Sequence, residues 1–185
     1  MSKSPLSKSQ RGITLLESLV ALLVLSIGLL GTAHLMATGI KYSNSSFART
    51  QATLIAENIA ERMRANPNAI TGMNYGGFDS NTITNCTTPP ATYCQQKGST
   101  TPASCTAAQL ATFDTFHATC GSGGSVKGNN GVKDLLLGGR LSVACDDSPC
   151  TATSTYTIRV SWNETELVNN ADVTNTKLVQ HVILP

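Results

Sequence analysis

The sequence predicts an α+β fold built on one long N-terminal helix, and three observations predict it. An apolar run over residues 13–31 follows a short basic segment and passes directly into an amphipathic pattern of helical period. The last third of the chain alternates apolar and polar residues, as half-buried strands do. All six cysteines, Cys86, Cys94, Cys105, Cys120, Cys145 and Cys150, lie outside the apolar segment. With 185 residues, 41% of them apolar, the chain holds one compact domain plus an extension.

The N-terminal element carries the sharpest signal. Residues 1–12 are polar and contain Lys3, Lys8 and Arg11 but no acid. From Ser18 to Ile40 there is no Asp, Glu, Lys or Arg. As a helix that stretch reaches about 35 Å, enough to cross a hydrocarbon core of about 30 Å. An ordinary export signal fits poorly, because the apolar stretch exceeds the usual length of roughly 7 to 15 residues and no small-x-small site ends it. No cysteine lies nearby for lipidation. Glu17 is the anomaly. A carboxylate in a bilayer-spanning segment costs about 2.5–3.5 kcal/mol at mid-membrane and less near an interface. It calls for a partner, or for a side chain that reaches the headgroups.

Gly12, Ile13 and Glu17 together resemble the type IV prepilin motif: Gly12 before the cut, Ile13 as the new N-terminus, Glu17 four residues beyond it. The resemblance implies that a prepilin peptidase cleaves between Gly12 and Ile13 on the cytoplasmic side and methylates the new amine. Residues 1–12 are then a cleaved basic leader, and residues 13–40 stay as a transmembrane and filament-core helix. It also implies a role for Glu17. In a packed filament its carboxylate pairs with the α-amine of Ile13 on a neighbouring subunit, inside an apolar core where an unpaired charge is costly. Gly28, Gly31 and Gly39 interrupt the helix at about 1 kcal/mol each relative to Ala. Many major pilins carry a helix-breaking proline near the position of His34; this sequence does not, which leaves the glycines as the places for local melting during packing.

Past Ile40 the pattern turns amphipathic. Phe47, Leu54, Ile55, Ile59 and Met63 recur at helical spacings, with Arg49, Gln51, Glu57, Glu61 and Arg64 between them. Residues 41–66 are therefore expected to continue the helix into a head, with those apolar side chains packed on it. Pro67 disfavours helical geometry at Asn66 and sets the stop. A helix over 13–65 is about 80 Å long. The run Ala-Glu-Asn-Ile-Ala-Glu-Arg-Met-Arg-Ala-Asn-Pro ending at Pro67 resembles the helix end of PilV-type minor pilins, the type IV pilus modification proteins.

Residues 67–185 form the expected periplasmic head. Residues 68–104, rich in Gly, Thr, Asn and Pro, read as a long loop region stapled by disulfides. Thr106 with Gln109 fits a capping box, and Leu110, Phe113 and Phe116 follow it, so a short helix is expected over 107–118. Residues 121–131 read as a flexible turn. Residues 135–141, with Gly138-Gly139-Arg140, resemble the segment that enters the first head strand in the same family. Strands are expected over 140–144, 155–162 and 177–184, joined as an antiparallel meander. In the second, Tyr156, Ile158, Val160 and Trp162 alternate with Thr155, Thr157, Arg159 and Ser161, giving one apolar face to pack on the amphipathic helix.

The cysteines have irregular spacing and no C-x-x-C, which argues against a zinc ribbon or a redox pair. An even number behind an export signal reads as a disulfide framework in an oxidising compartment. Connectivity stays open; proximity favours Cys145 with Cys150 around the Asp146-Asp147-Ser148-Pro149 turn, and other pairings compete with it.

Several functions are disfavoured. Without residues 1–12, 10 basic residues face 11 acidic ones, a net charge of −1 that makes no electrostatic case for nucleic acid. His34, His117 and His181 are scattered over the membrane helix, the short helix and the last strand, and no G-x-S-x-G or H-E-x-x-H occurs. The Gly-Ser-Gly-Gly-Ser run follows no strand and lacks a phosphate-loop pattern. His117 and Cys120 mimic metal-ligand spacing, but a disulfide is the better reading of Cys120. Asp146 and Asp147 fall short of a calcium shell and read as solvated turn residues. No catalytic residue, metal or cofactor is expected.

The resulting reading is a minor pilin of a type IV pilus. It is held in the inner membrane by a single pass with its head in the periplasm, then incorporated into the surface pilus. The resemblance implies as partners a prepilin peptidase, other minor pilins, the major pilin and the inner-membrane assembly platform. It also implies a role near the tip in priming assembly, and so in twitching motility and cell adhesion. The alternatives are a minor pseudopilin of a type II secretion system, which shares the signal and helix, and a membrane-anchored periplasmic enzyme, for which no catalytic constellation is visible.

Overall fold

The computed structural model describes residues 14–95, 101–121, 131–168 and 171–184. Gly12, Ile13 and most of the expected 121–131 turn lie outside the described residues. The chain divides into two units, Met1–Asn44 and Ser45–Pro185.

Helix α1 runs from Leu15 to Ala65. Thr14 starts it: its carbonyl accepts from the Ser18 N–H at 3.2 Å, and its hydroxyl accepts from the Glu17 N–H at 3.3 Å. That satisfies donors a helix N-terminus otherwise leaves open. The helix continues without a break through Gly28, Gly31 and Gly39. It stops before Asn66, and Pro67 opens a second short helix, α2 (Pro67–Thr71), where a missing N–H costs nothing.

The second unit is built on the last turns of α1. Ala52, Ile55, Ala56, Ile59, Ala60 and Met63 form its buried stripe. Phe47 and Leu54, expected to pack on the head, are instead 58% and 52% exposed. At about 100° per residue both fall on the side opposite the stripe. Ala52, Ala56 and Ala60 take the inward positions, because small side chains let the helix backbone come close to the strands. The sequence pattern is right at Ile55, Ile59 and Met63 and misleading only at Phe47 and Leu54.

The expected loop of residues 68–104 also needs correction. Besides α2 it contains β1 (Phe78–Asp79) and a 3-10 turn (Ser80–Thr82). Asp79 accepts from the Asn81 N–H at 2.9 Å, capping the turn, and pairs with Arg140. A two-residue strand shows no alternation to read. Helix α3 (Ala107–Cys120) begins at the capping box of Thr106 and Gln109, with both reciprocal bonds made, and extends two residues past the expected end to the disulfide cysteine Cys120. A further turn of helix, α4 (Val132–Leu135), leads through Gly138, at φ +60°, into the sheet.

Three longer strands complete a four-stranded antiparallel meander, ordered β1-β2-β3-β4: β2 (Arg140–Cys145), β3 (Tyr156–Val168) and β4 (Ala171–Ile183). The segment with Gly138-Gly139-Arg140 therefore enters the second strand, not the first. β2 pairs with β3 only from Arg140 opposite Ser161 to Cys145 opposite Tyr156. Beyond Ser161, β3 and β4 continue as a two-stranded ribbon, longer than the expected strands because the residues there are polar and alternate weakly. Leu141, Val143, Tyr156, Ile158, Val160, Trp162 and Ile183 point inward and are buried in one cluster with the α1 stripe. Burying each such side chain stabilises by about 1.5–3 kcal/mol.

Disulfides join Cys86 to Cys120, Cys94 to Cys105, and Cys145 to Cys150. Gly76 lets the last of these close, since a Cβ at that position would collide with the Cys150 sulfur.

Candidate functional site

The first unit presents an unusual surface. Every large apolar side chain from Leu15 to Ile40 is between 54% and 87% exposed. A helix that is apolar all round needs an apolar surrounding, whether lipid or other helices. The polar side chains within it ask little of water: the Ser26 hydroxyl donates to the Leu22 carbonyl at 2.7 Å, Thr32 to Leu29 at 3.0 Å, and Thr38 to His34 at 3.0 Å. Hydroxyls turned back on their own helix are how such residues sit in hydrocarbon. A Cβ added at Gly28, Gly31 or Gly39 would touch nothing, so packing within this chain does not demand those glycines.

Glu17 stands at the third position of this helix, exposed, one turn after Thr14. The Thr14-x-x-Glu17 spacing is a capping pattern that the sequence reading passed over, although the spacing alone identifies it. Thr14 makes its half of that arrangement, and Glu17 is exposed.

Two family descriptions match the chain: the prokaryotic N-terminal methylation motif over residues 7–33, and type IV pilin Tt1218 over residues 35–116. Together the two matches support a type IV pilin. No curated protein and no solved structure matches it. The methylation motif with the long apolar helix makes it a membrane-anchored pilin, and pilin membership points to a structural role.

The pilin match covers the end of α1, the segment after it and most of α3, and these elements meet at a buried polar cluster. Asp114, 2% exposed, accepts from Arg62 at 2.8 Å and from the Tyr75 hydroxyl at 2.8 Å. Arg62 also donates to Asn58 at 2.9 Å, and Asn66 donates to the Ala107 carbonyl at 2.9 Å. Burial, then the charge on Asp114, pushes the Tyr75 phenol far above its ordinary value, so it remains a donor at any physiological pH. Among the described residues no buried side-chain polar atom lacks a partner. This cluster has no signal in the linear sequence, because its members lie 39 and 52 residues apart.

A second cluster ties the ribbon to the helix. The Glu164 carboxylate accepts from the Ser45 hydroxyl at 3.0 Å and the Trp162 indole N–H at 2.9 Å, with Lys177 at 3.9 Å. Trp162 is thus a core residue whose polar edge is satisfied.

The remaining candidates do not converge. His34 is in α1, His117 in α3, and His181 in β4 within 3.4 Å of Arg64. Cys120 is bonded to Cys86 and offers no thiolate beside His117. Asp146 accepts from the Thr155 N–H at 2.8 Å and Asp147 from the Ser154 hydroxyl at 2.7 Å, both shaping an exposed turn. Among the described residues no group of His, Cys, Asp or Glu is arranged to hold a metal.

Proposed function

We propose that this type IV pilin is a minor pilin of the PilV type, which primes pilus assembly near the tip and so serves twitching motility and adhesion. The observation that carries the reading is Glu17, the one acidic residue among residues 15–40, a stretch whose large apolar side chains are all exposed. Such a carboxylate is worth keeping where another subunit supplies a cation, and the N-terminal amine of a processed neighbour is that cation. In this reading prepilin peptidase removes residues 1–12 after Gly12 and methylates Ile13. Residues 13–40 hold the chain in the inner membrane and later lie in the filament core, and residues 41–66 carry the periplasmic head of 67–185. Other minor pilins, the major pilin and the inner-membrane assembly platform are its partners. The residues before Pro67 support the PilV-type assignment by their resemblance to that group.

The deciding experiment deletes the gene and assays surface pili and protein secretion side by side. Loss of pili with secretion intact is the expected result; intact pili with lost secretion would make the chain a pseudopilin of a type II secretion system. Mass spectrometry of the mature N-terminus should find methylated Ile13. Glu17→Ala should be cleaved normally yet fail to assemble, and normal piliation in that variant would remove the pairing role.

A further inference from the structure

We propose that Asn85 is a modification site, an acceptor of N-linked sugar, and that the turn over residues 85–87 presents its side-chain amide to a glycosyl donor. The sequence holds three Asn-x-Ser/Thr tripeptides, Asn44-Ser45-Ser46, Asn85-Cys86-Thr87 and Asn163-Glu164-Thr165. Each is an acceptor by pattern alone. The fold separates them.

Asn44 lies within α1, where side chains two residues apart point about 200° from each other, so the Ser46 hydroxyl is turned away from its amide. Asn163 lies in β3, where residues i and i+2 stand about 6.5 Å apart along one face, too far for Thr165 to reach it. Its Oδ1 accepts instead from the Thr176 hydroxyl at 3.2 Å, and its Nδ2 is packed over Gly138. Asn85 differs on every count. Residues 83–88 belong to neither helix nor strand, and Asn85 and Thr87 are both exposed. Asn85 Oδ1 accepts from the Thr87 N–H at 2.8 Å and from the Thr87 hydroxyl at 2.6 Å. Cys86, between them, is tied to Cys120 at the end of α3, which fastens this turn to the head. Among the described residues both hydrogen bonds at the Asn85 side chain fall on Oδ1 and none on Nδ2.

That arrangement suits glycosyl transfer. An amide nitrogen is a weak nucleophile because its lone pair is shared with the carbonyl. Two donors on Oδ1 fix the plane of the amide and stabilise the negative charge that gathers on oxygen as Nδ2 gives up a proton to a base of the transferring enzyme. Nδ2 then bonds to the anomeric carbon of the donor sugar. The bond from that carbon to a phosphate oxygen breaks, and the electron pair leaves with the phosphate. Asn85 is where the bond forms, and Thr87 is a positioning residue. The donor is a glycosyl phosphate, carried on a lipid or on a nucleotide.

Peptide mass spectrometry of the mature chain isolated from its own cell should find the Asn85 peptide heavier than its sequence by whole sugar residues, with the Asn44 and Asn163 peptides at sequence mass. Asn85→Gln and Thr87→Val should each abolish the added mass, and Thr87→Ser, which keeps the hydroxyl, should retain it. Full-length chain made in a host without such transferases should gain the sugar from the cell's membranes if the donor is lipid-linked, or from its cytosol with nucleotide sugars if it is not. Gain from neither overturns the proposal. So does an unmodified Asn85 in the native chain, sugar on Asn44 or Asn163 in its place, or wild-type modification of Thr87→Val. None of these outcomes bears on pilus assembly, which Glu17→Ala tests separately.

Discussion

Residues 14–44 and residues 45–184 belong to one chain and share one helix, yet they are stabilised by different means. The first region has its apolar side chains on every side, no core, and hydroxyls bonded to its own backbone. The second confines its apolar residues to one stripe and one sheet face, and ties three elements together through a buried carboxylate. A helix of the first kind has the fold its surroundings permit, while a head of the second kind carries its own stability. The methylation motif ends inside the first region at residue 33, while the pilin match begins at 35 and takes in the last residues of that region as well as much of the second.

The comparison breaks most visibly if one large change is made in each region. Asp114→Ala removes the buried partner of Arg62 and Tyr75, and breaking a buried pair of this kind costs about 3–5 kcal/mol. Chemical denaturation of the detergent-solubilised chain should show the head's midpoint falling accordingly. Leu23→Ala, at a side chain 61% exposed, should leave that midpoint within about 0.5 kcal/mol. A comparable loss from Leu23→Ala would mean that the two regions are not independently stabilised.

The disulfides rank next and lie wholly in the head. Their cysteines are separated by 34, 11 and 5 residues for Cys86–Cys120, Cys94–Cys105 and Cys145–Cys150. Loop-closure entropy assigns them about 4, 3 and 2 kcal/mol in that order. Replacing each pair by serine and measuring urea midpoints should reproduce the ranking, and an inverted order would show that native packing around the short loop outweighs chain entropy.

How far the sequence reaches follows the same division. The first helix was legible because its signal is local: a run of apolar residues, one misplaced carboxylate, a proline at the end. The capping box at Thr106 and the alternation from Tyr156 to Trp162 were legible for the same reason. The inward face of α1 was misread at Phe47 and Leu54, since alanines were chosen there for close approach, not for hydrophobicity. The Asp114 and Glu164 clusters were not legible at all, because each joins residues that only the finished fold brings together.

A smaller effect sharpens the boundary from the other side. Thr14→Ala removes the hydroxyl that caps the Glu17 N–H, a loss of about 1 kcal/mol that stays within the first turn. Amide exchange should quicken at the start of α1 and nowhere in the head. Any shift in the head's denaturation midpoint would contradict the separation drawn here.

The smallest effect is a pH dependence seated in the head. His117 stands half-buried in the last turn of α3, against Phe113 and near Arg62 and Asp114. Burial, then the Arg62 charge, holds its imidazole below the ordinary value of 6.5, and the Asp114 charge opposes them without winning. The unfolded chain therefore takes up the proton first as pH falls. The stability that neutral His117 contributes is fully present above 6.5 and is lost as pH drops from there through the folded-state value. Asp79 acts in a separate, more acidic window: the hydrogen bond from Arg140 holds its carboxyl below 3.8, and its contribution disappears only as pH falls through that lowered value. Denaturation midpoints measured downward from pH 7 should thus decline first in the histidine window, and His117→Gln should flatten that decline while leaving the steeper carboxylate-driven loss in place. A decline unchanged in His117→Gln would remove His117 as its source.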